Sequence, residues 1–216
     1  MGVALFDMDK TLVPCNTMGR FLVHEFRRGR IGIRQLGAVM LWRCQYRYGW
    51  LDAHGAAERI MGWYEGESES YQRTNVRDWV EQQVVSLISP RARESVERHR
   101  QAGDRLVLAS VTHHLICEQV AASFGIDDVL CTRLEVRDQK LTGRIIPPLC
   151  FGSQKVEYVQ QFLFQNGYDW ADTVAYSDSI SDLPLLLAAR TAVAVNPDAP
   201  LRREARARSW RVEHGG

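Results

Sequence analysis

The N-terminal stretch Val3–Phe6 constrains the fold more than any other part of the chain. Its four apolar residues are typical of a short buried β-strand, and Asp7 and Asp9 follow it directly. Because side chains two positions apart on a strand point the same way, the two carboxylates are expected to lie side by side. Buried carboxylates that lie together repel each other unless a cation or an unequally shared proton compensates. The pattern therefore predicts reactive chemistry here, although acidic residues after a strand often simply begin a turn.

The composition is typical of a soluble globular protein, with 216 residues of which 45% are hydrophobic and 25% charged. This length suits one domain, or a core domain with a smaller insertion. A formal net charge of +1 provides no overall field that would attract nucleic acid or an acidic membrane. The longest membrane-like stretch, residues 36–42, is too short to span a bilayer.

The cysteines indicate a reducing environment. There are five, scattered along the chain without a CxxC pair, which argues against a disulfide framework or a zinc site. The N-terminal apolar run is also too short for a signal peptide and leads straight into carboxylates. We therefore expect a cytoplasmic protein.

Residues 16–86 are predicted to form a helical cap domain. Apolar residues recur there at helical spacing, and no convincing strand interrupts them. The predicted helices cover residues 17–28, 33–48, 52–64 and 70–87. Residues 1–15 and 87–216 are then expected to form the core domain.

The core domain is predicted to be α/β, because short apolar runs alternate with helical segments. The predicted strands are residues 106–109, 129–131, 173–176 and 192–195, with a β-hairpin within residues 134–143. The predicted helices cover residues 89–101, 115–124 and 153–165, a short segment from residue 182, and the terminal segment 202–208. This order indicates a Rossmann-like, doubly wound and mostly parallel sheet.

Small oxygen-bearing side chains follow three of the predicted strands. Ligands bind such sheets beyond the carboxyl ends of the strands, so these side chains are expected to meet at one edge. They are Asp7 and Asp9 after the first strand, Ser110 and Thr112 after the second, and Asp178 and Asp182 after the strand 173–176.

Such a set suits the hydrolysis of a phosphate monoester. Asp7, when ionised, can attack phosphorus to give an aspartyl-phosphate. Asp9 can protonate the leaving oxygen and later activate water, provided that the pKa values of the two groups are pushed apart. A Mg²⁺ ion prefers oxygen ligands and keeps several waters. The predicted ligands are Asp7, Asp9 through its backbone carbonyl, Asp178, and Asp182 directly or through water.

Further residues are predicted to hold the substrate. The Ser110 hydroxyl is expected to bind a phosphoryl oxygen, with Val111 and Thr112 beside it. Lys155, near the start of a helix, is expected to act as a fixed cation for the aspartate and the phosphate. His113 and His114 follow closely and are either substrate-facing or ordinary polar residues of a first helical turn.

These motifs, taken in order, resemble those of the haloacid dehalogenase superfamily of phosphohydrolases. The matching segments are Asp7–Thr11, Ser110 after its strand, Lys155, and Tyr176–Asp182, and Asn196–Pro197 is also similar to the family. The helical insertion resembles the C1 cap of subfamily IB, the phosphoserine-phosphatase-like branch. The resemblance implies a Mg²⁺-dependent phosphatase with the residue roles given above.

The sequence departs from phosphoserine phosphatases at Asn16, where they usually carry a glutamate that recognises the substrate amine. An amide at this substrate-facing position has no charge to pair with an ammonium group, which argues against phosphoserine. The second and fourth motifs, Ser110–Thr112 and Ser177–Ser179, also lack glycine. They are similar to those of histidinol-phosphate phosphatases and of domains fused to lysophosphatidate acyltransferases.

Four functions remain to be separated. The leading one is a phosphatase for a small metabolite such as histidinol phosphate or a phosphoserine-like compound. A phosphotransferase or a lysophospholipid-type phosphatase would use the same groups. A catalytically silent binding protein would have the scaffold without the reaction. Nucleic-acid binding through the aromatic and arginine residues of 42–50 is disfavoured, because no sustained basic run accompanies them.

Overall fold

A seven-stranded sheet forms the centre of the computed structural model, which describes residues 1–39 and 53–214. The strand order is β4-β3-β2-β1-β5-β6-β7, and all neighbours are parallel except β3 and β4. The strands are β1 (Val3–Phe6), β2 (Arg105–His113), β3 (Asp128–Arg137), β4 (Lys140–Ile146), β5 (Thr173–Ser177), β6 (Thr191–Val195) and β7 (Arg211–Glu213). The predicted α/β class with a mostly parallel sheet is confirmed.

The central strand β1 contributes to both faces of the sheet. Because alternate side chains of a strand point to opposite faces, Ala4 and Phe6 belong to one apolar cluster. Val3 and Leu5 belong to the other. All four are at most 1% exposed, which explains why this strand has no polar position.

Helices cover both faces of the sheet and form the insertion. They are α1 (Thr17–Arg27), α2 (Ala53–Met61), α3 (Glu69–Gln83), α4 (Pro90–Gln101), α5 (His114–Phe124), α6 (Gly152–Gln165), α7 (Leu183–Ala188) and α8 (Ala199–Ala207). Residues 33–39 are also helical. No helix within residues 1–39 and 53–214 has the length and apolar character needed to cross a membrane.

Several predicted helix ends agree with the capping groups. The Ser89 hydroxyl accepts a hydrogen bond from the backbone N–H of Ala92, and Pro90 begins α4. Helix α5 ends at Gly125, which has the left-handed conformation (φ 62°) that glycine adopts readily. The second half of the predicted helix 33–48 and the aromatic cluster of residues 42–50 lie outside the described residues.

The described residues of the insertion, 16–39 and 53–86, include a segment at 62–67 that packs closely on the β3–β4 hairpin. The backbone N–H of Leu141 donates to the carbonyl of Glu67, and the N–H of Gly66 donates to the carbonyl of Leu141. Gly143 has a φ of +76°, and a Cβ there would lie 3.0 Å from the Cα of Gly62. This close approach places the insertion over one edge of the sheet. The division into core and cap domains stays a prediction.

Two strands differ from the sequence prediction. The predicted strand 129–131 and the first arm of the hairpin form one continuous strand, β3, which pairs parallel with β2 and then antiparallel with β4. Strand β7 was not predicted. It has only three residues, two of them charged, so the apolar pattern that marks a buried strand is missing.

Two neighbouring residues of α6 test the core packing. Leu163 is fully buried and Phe164 is 81% exposed. We expect Leu163→Ala to lower the free energy of unfolding by about 2–5 kcal/mol, because it leaves a cavity beneath the sheet. Phe164→Ala, the matched control, should change it by less than about 0.5 kcal/mol. Urea denaturation measures both values, and equal losses in the two variants would contradict this packing.

Candidate active site

The carboxyl ends of β1, β2 and β5 open into one cavity of about 510 Å³ between the sheet and the insertion. It brings together predicted site residues from all four motifs. Those that line it are Asp7, Asp9, Asn16, Ser110, Val111, Lys155, Asp178 and Asp182. Segments far apart in the sequence therefore meet at one place, as the parallel topology requires.

Lys155 links two carboxylates at the bottom of this cavity. Its Nζ donates to Oδ1 of Asp7 and to Oδ2 of Asp182, each at 2.8 Å, and the residue is only 2% exposed. Burial disfavours the ammonium form, but attraction to Asp182 and Asp7 outweighs it, so the pKa of Lys155 lies above its usual value. The lysine is thus held as a cation between two carboxylates, and its role toward a phosphate stays a prediction.

Ser177 makes a second hydrogen bond to Asp182. Its hydroxyl donates to Oδ2 of Asp182 at 2.7 Å, the same oxygen that accepts from Lys155. The side chain of Asp182 is therefore oriented by two donors. We interpret Asp182 chiefly as the group that positions Lys155.

The ionisation of Asp7 is opposed by its surroundings. Burial raises its pKa to about 8, and repulsion from Asp182 and Asp178 adds to this, while Lys155 acts in the opposite direction. Oδ1 of Asp7 accepts the hydrogen bond from Lys155, and the residue lines the cavity. A further cation nearby would favour the ionised form that a nucleophile needs.

Asp9 is fixed at the start of α1. Its Oδ1 accepts hydrogen bonds from the backbone N–H of Thr17 at 3.1 Å and from the Thr17 hydroxyl at 2.7 Å. Burial raises the pKa of Asp9 to about 6, although the bonds from Thr17 lower it. A carboxyl group that titrates near neutrality can both donate and accept a proton, as a general acid and base must.

Asp178 is a buried carboxylate of the set and faces Lys10. Nζ of Lys10 lies 3.6 Å from Oδ2 of Asp178, at the end of a side chain that is 59% exposed. Burial raises the pKa of Asp178 to about 6, with Lys10 lowering it and Asp182 raising it. Asn196 lies beside this group, and its Nδ2 donates to the carbonyl of Lys10 at 3.4 Å.

The charges of the cavity fit a divalent cation. Its described lining carries four carboxyl groups and two ammonium groups, so two negative charges remain when all six are ionised. Within residues 1–39 and 53–214, no three His, Cys, Asp or Glu side chains are grouped to hold a metal ion. The predicted Mg²⁺ set consists of Asp7, the Asp9 carbonyl, Asp178, and Asp182 directly or through water. Asp182 also accepts a hydrogen bond from Lys155.

The predicted substrate-binding residues are placed unequally. Ser110 and Val111 line the cavity, whereas Thr112 does not. The backbone N–H of Thr112 donates to the Ser110 hydroxyl at 3.3 Å. Asn16 lines the cavity too, but its Oδ1 caps α1 by accepting from the N–H of Gly19 at 2.6 Å. Part of its hydrogen-bonding capacity is therefore used to begin the helix.

The two histidines after Ser110 do not line the cavity. Both are buried, and burial lowers the pKa of His113 to about 3. Nδ1 of His114 accepts a hydrogen bond from the backbone N–H of Leu134 at 3.3 Å. Of the two alternatives for these histidines, the structure therefore favours a role in packing.

Some site residues carried no recognisable signal in the sequence. Thr17 and Ser177 orient the carboxylates of Asp9 and Asp182, yet hydroxyl residues are common and only their neighbours reveal them. The apolar residues that line the cavity from the insertion also follow no motif. They are Met18, Leu22, Val39, Ala56, Ala57 and Ile60.

Comparisons with known proteins agree with this site. The sequence model of the haloacid dehalogenase-like hydrolase family matches residues 4–187 of this chain. A histidinol-phosphatase of Neisseria meningitidis serogroup C (strain 8013) is 30% identical over 216 residues, covering 97% of this chain and 97% of the relative.

Two solved structures are also similar. A protein of unknown function from Bordetella pertussis Tohama I has a TM-score of 0.90 and 32% identity, covering 98% of this chain and 97% of the other. A phospho-aspartyl intermediate analogue of a phosphoserine phosphatase has a TM-score of 0.69 at 18% identity, covering 94% of this chain and 90% of the other. At that identity the second match shows the fold alone.

The fold and the site define a phosphoric monoester hydrolase built on a parallel α/β sheet. The chain belongs to the haloacid dehalogenase-like hydrolase family. The resemblance to this superfamily, inferred from four short motifs, and to its phosphoserine-phosphatase-like branch, inferred from the helical insertion, is confirmed.

Removing the buried lysine tests the electrostatic arrangement. Lys155→Met leaves the carboxylates of Asp7 and Asp182 without their common partner, and loss of one member of a buried ion pair costs about 3–5 kcal/mol. Lys10→Met, at a mostly exposed lysine of the same cavity, should change the free energy of unfolding by less than about 0.5 kcal/mol. Chemical denaturation measures the free energy of unfolding of both variants. Equal stability of Lys155→Met and Lys10→Met would contradict the buried ion pairs of Lys155.

The raised pKa of Asp9 predicts a pH-dependent stability difference. Between the ordinary value of 3.8 and about 6, the folded state holds a proton that the unfolded state releases, so Asp9 lowers stability as pH rises through this window. Asp9→Asn lacks this effect. Its unfolding free energy relative to wild type should increase by about 1–3 kcal/mol from pH 4 to pH 6, at about 1.4 kcal/mol per pKa unit.

The measurement is urea denaturation in EDTA across this pH range. Asp78→Asn, at a half-exposed side chain of α3, controls for the change of an aspartate to its amide. A difference between Asp9→Asn and wild type that stays constant from pH 4 to pH 6 would show that the Asp9 pKa is not raised.

Proposed function

We propose that the protein is a Mg²⁺-dependent phosphatase that transfers the phosphoryl group of a small phosphomonoester first to Asp7 and then to water. The observation that carries the proposal is the pair of hydrogen bonds from Lys155 to Asp7 and Asp182. These two hydrogen bonds hold Asp7, the proposed nucleophile, where the segments of the four motifs meet. The family membership supports the same reaction class.

In the first step, Oδ2 of Asp7 attacks phosphorus, because Oδ1 is held by Lys155. The new O–P bond replaces the bond to the alcohol oxygen, and Asp9 gives that oxygen its proton. The Ser110 hydroxyl and the Lys155 ammonium stabilise the phosphoryl oxygens. Thr17 keeps the Asp9 carboxyl aimed at the leaving group through its two hydrogen bonds.

In the second step, Asp9 takes a proton from water, whose oxygen attacks the aspartyl-phosphate. The bond between phosphorus and Asp7 breaks, inorganic phosphate leaves, and Asp9 is again protonated. A raised pKa of about 6 allows Asp9 to serve in both directions. Bound Mg²⁺ would neutralise charge on Asp7, Asp178 and the phosphate.

The substrate is proposed to be a small phosphorylated metabolite. Relatives carry the names histidinol-phosphatase and phosphoserine phosphatase, and the cavity volume of about 510 Å³ suits a compact ester. The four free cysteines that the structure describes are compatible with the cytoplasmic location that the sequence predicts.

The proposed reaction is tested with 4-nitrophenyl phosphate, with and without Mg²⁺. Wild type should release phosphate only with the metal, and Asp7→Asn and Asp9→Asn should each lose at least about 100-fold in kcat, the loss typical of a missing nucleophile or general acid. Asp78→Asn, far from the motifs in sequence, should keep the wild-type rate. Adding an acceptor alcohol distinguishes transfer from hydrolysis through the phosphorylated product.

Equal rates for wild type, Asp7→Asn and Asp9→Asn would contradict the proposal and leave the silent binding protein as the alternative. Full activity in EDTA would contradict the magnesium dependence alone. The two outcomes are separated because the variants are compared under both conditions.

A further inference from the structure

The active-site cavity has two chemically different sides. All of its ionisable oxygen and nitrogen groups lie on the side of the sheet, in the segments that carry the four motifs. The insertion contributes a side that we call the apolar wall, which consists of Met18, Leu22, Val39, Ala56, Ala57 and Ile60.

The apolar wall is formed by the inward faces of helices. Met18 and Leu22 are one turn apart on α1, and Ala56 and Ile60 are one turn apart on α2, so each pair lies on one helix face. Leu22, Val39 and Ala56 are less than 9% exposed. The wall is continuous with the main apolar cluster of the protein and is therefore a packed surface with a fixed shape.

The charged residues of these two helices point elsewhere. Glu25 is fully buried and accepts hydrogen bonds from Arg30 at 2.8 Å and Asn75 at 3.0 Å. His54 pairs with Glu58 along α2 at 3.6 Å. None of the ionisable residues of α1 and α2 lines the cavity: Arg20, His24, Glu25, Arg27, His54, Glu58 and Arg59.

The polar exception on this side of the cavity is Asn16. Its carbonyl oxygen already accepts from the N–H of Gly19 at 2.6 Å, and its amide nitrogen is a donor that would not favour an ammonium group. The side chain carries no charge, so an amine on the substrate would find no anionic partner among the described residues of the insertion that line the cavity.

The reacting phosphate fixes which part of the substrate meets the apolar wall. Phosphorus must approach Asp7 from the cavity, with Ser110 and Lys155 around its oxygens. The alcohol that leaves then extends toward the insertion. A charged alcohol would lose its hydration against the wall, whose described residues offer no charge to compensate, and this is unfavourable, whereas an apolar alcohol is stabilised by leaving water.

We propose that the natural substrate is the phosphate ester of an uncharged, compact and apolar alcohol, branched-alkyl or aromatic, and that Met18, Leu22 and Ile60 select it. This inference rests on the proposed phosphatase function. It separates the chain from relatives named for phosphoserine or histidinol phosphate, both of which carry an ammonium group. Ile60, which is only partly buried, is the specificity-determining position most open to substitution.

The test compares kcat/KM for matched phosphomonoesters with the Mg²⁺-loaded full chain. Butyl phosphate and 4-aminobutyl phosphate differ only by the terminal ammonium group, and benzyl phosphate and O-phosphoserine extend the comparison. We expect butyl and benzyl phosphate to exceed their charged counterparts by at least about 10-fold, the discrimination that one buried group can supply. Equal values, or a preference for the amines, would overturn the proposal.

A substitution in the wall tests the assigned residue. Ile60→Glu should lower kcat/KM for butyl phosphate by about 10-fold or more and raise that for 4-aminobutyl phosphate, through KM more than kcat. Ile60→Gln should lower kcat/KM for butyl phosphate without raising kcat/KM for 4-aminobutyl phosphate, because it adds no charge. Arg59→Glu, at the exposed neighbour outside the lining, should leave both values unchanged.

The possible failures can be distinguished. If Ile60→Glu does not fold, as shown by circular dichroism, Ile60→Gln and the wild-type ester series still decide the question. If all esters are hydrolysed equally, the apolar-alcohol proposal alone is overturned. If no ester, including 4-nitrophenyl phosphate, is hydrolysed with Mg²⁺, the proposed phosphatase function fails and this inference fails with it.

Discussion

The contact of one buried ammonium group with two carboxylates is the interaction on which the site depends. Lys155 is separated by 148 residues from Asp7 and by 27 from Asp182, so its two hydrogen bonds join the first strand, helix α6 and the turn after β5. Each of these charges would be unfavourable in the interior alone. Together they hold the end of β1 in a single orientation, and the other site residues are arranged around it.

The position of β1 in the sheet explains how that contact forms. The strand lies between β2 and β5 and pairs in parallel with both, so three carboxyl ends lie next to each other. Its side chains alternate between the two apolar clusters, and a shift of one residue would exchange them. The register that packs both cores is therefore also the register that places Asp7 beside Lys155 and Asp178.

Much of this arrangement follows from the sequence because its physical causes are local. Apolar runs such as Val3–Phe6 indicate buried strands, and the parallel topology then brings Asp7, Ser110 and Asp178 together. Other contacts depend on side-chain directions that no short pattern contains. Thr17 reaches Asp9 and Ser177 reaches Asp182 only because the chain reverses between them.

The remaining differences have similar explanations. Strand β7 is recognised by its pairing with β6 and not by its composition. Asn16 was expected to face the substrate, but half of its amide is used to begin α1. The apolar wall opposite the phosphate site is assembled from α1, α2 and the helical segment 33–39, and so its chemistry emerges only when the insertion is packed on the sheet.

The proposed mechanism depends most on Asp7 as the group that receives the phosphoryl moiety. Rapid acid quenching during turnover, followed by proteolysis and mass spectrometry, locates the transferred group most directly. The account predicts an acid-stable, base-labile phosphoryl adduct on Asp7 in the peptide that contains residues 3–11. An adduct on another residue, or turnover with no phosphorylated peptide at any quench time, would contradict it.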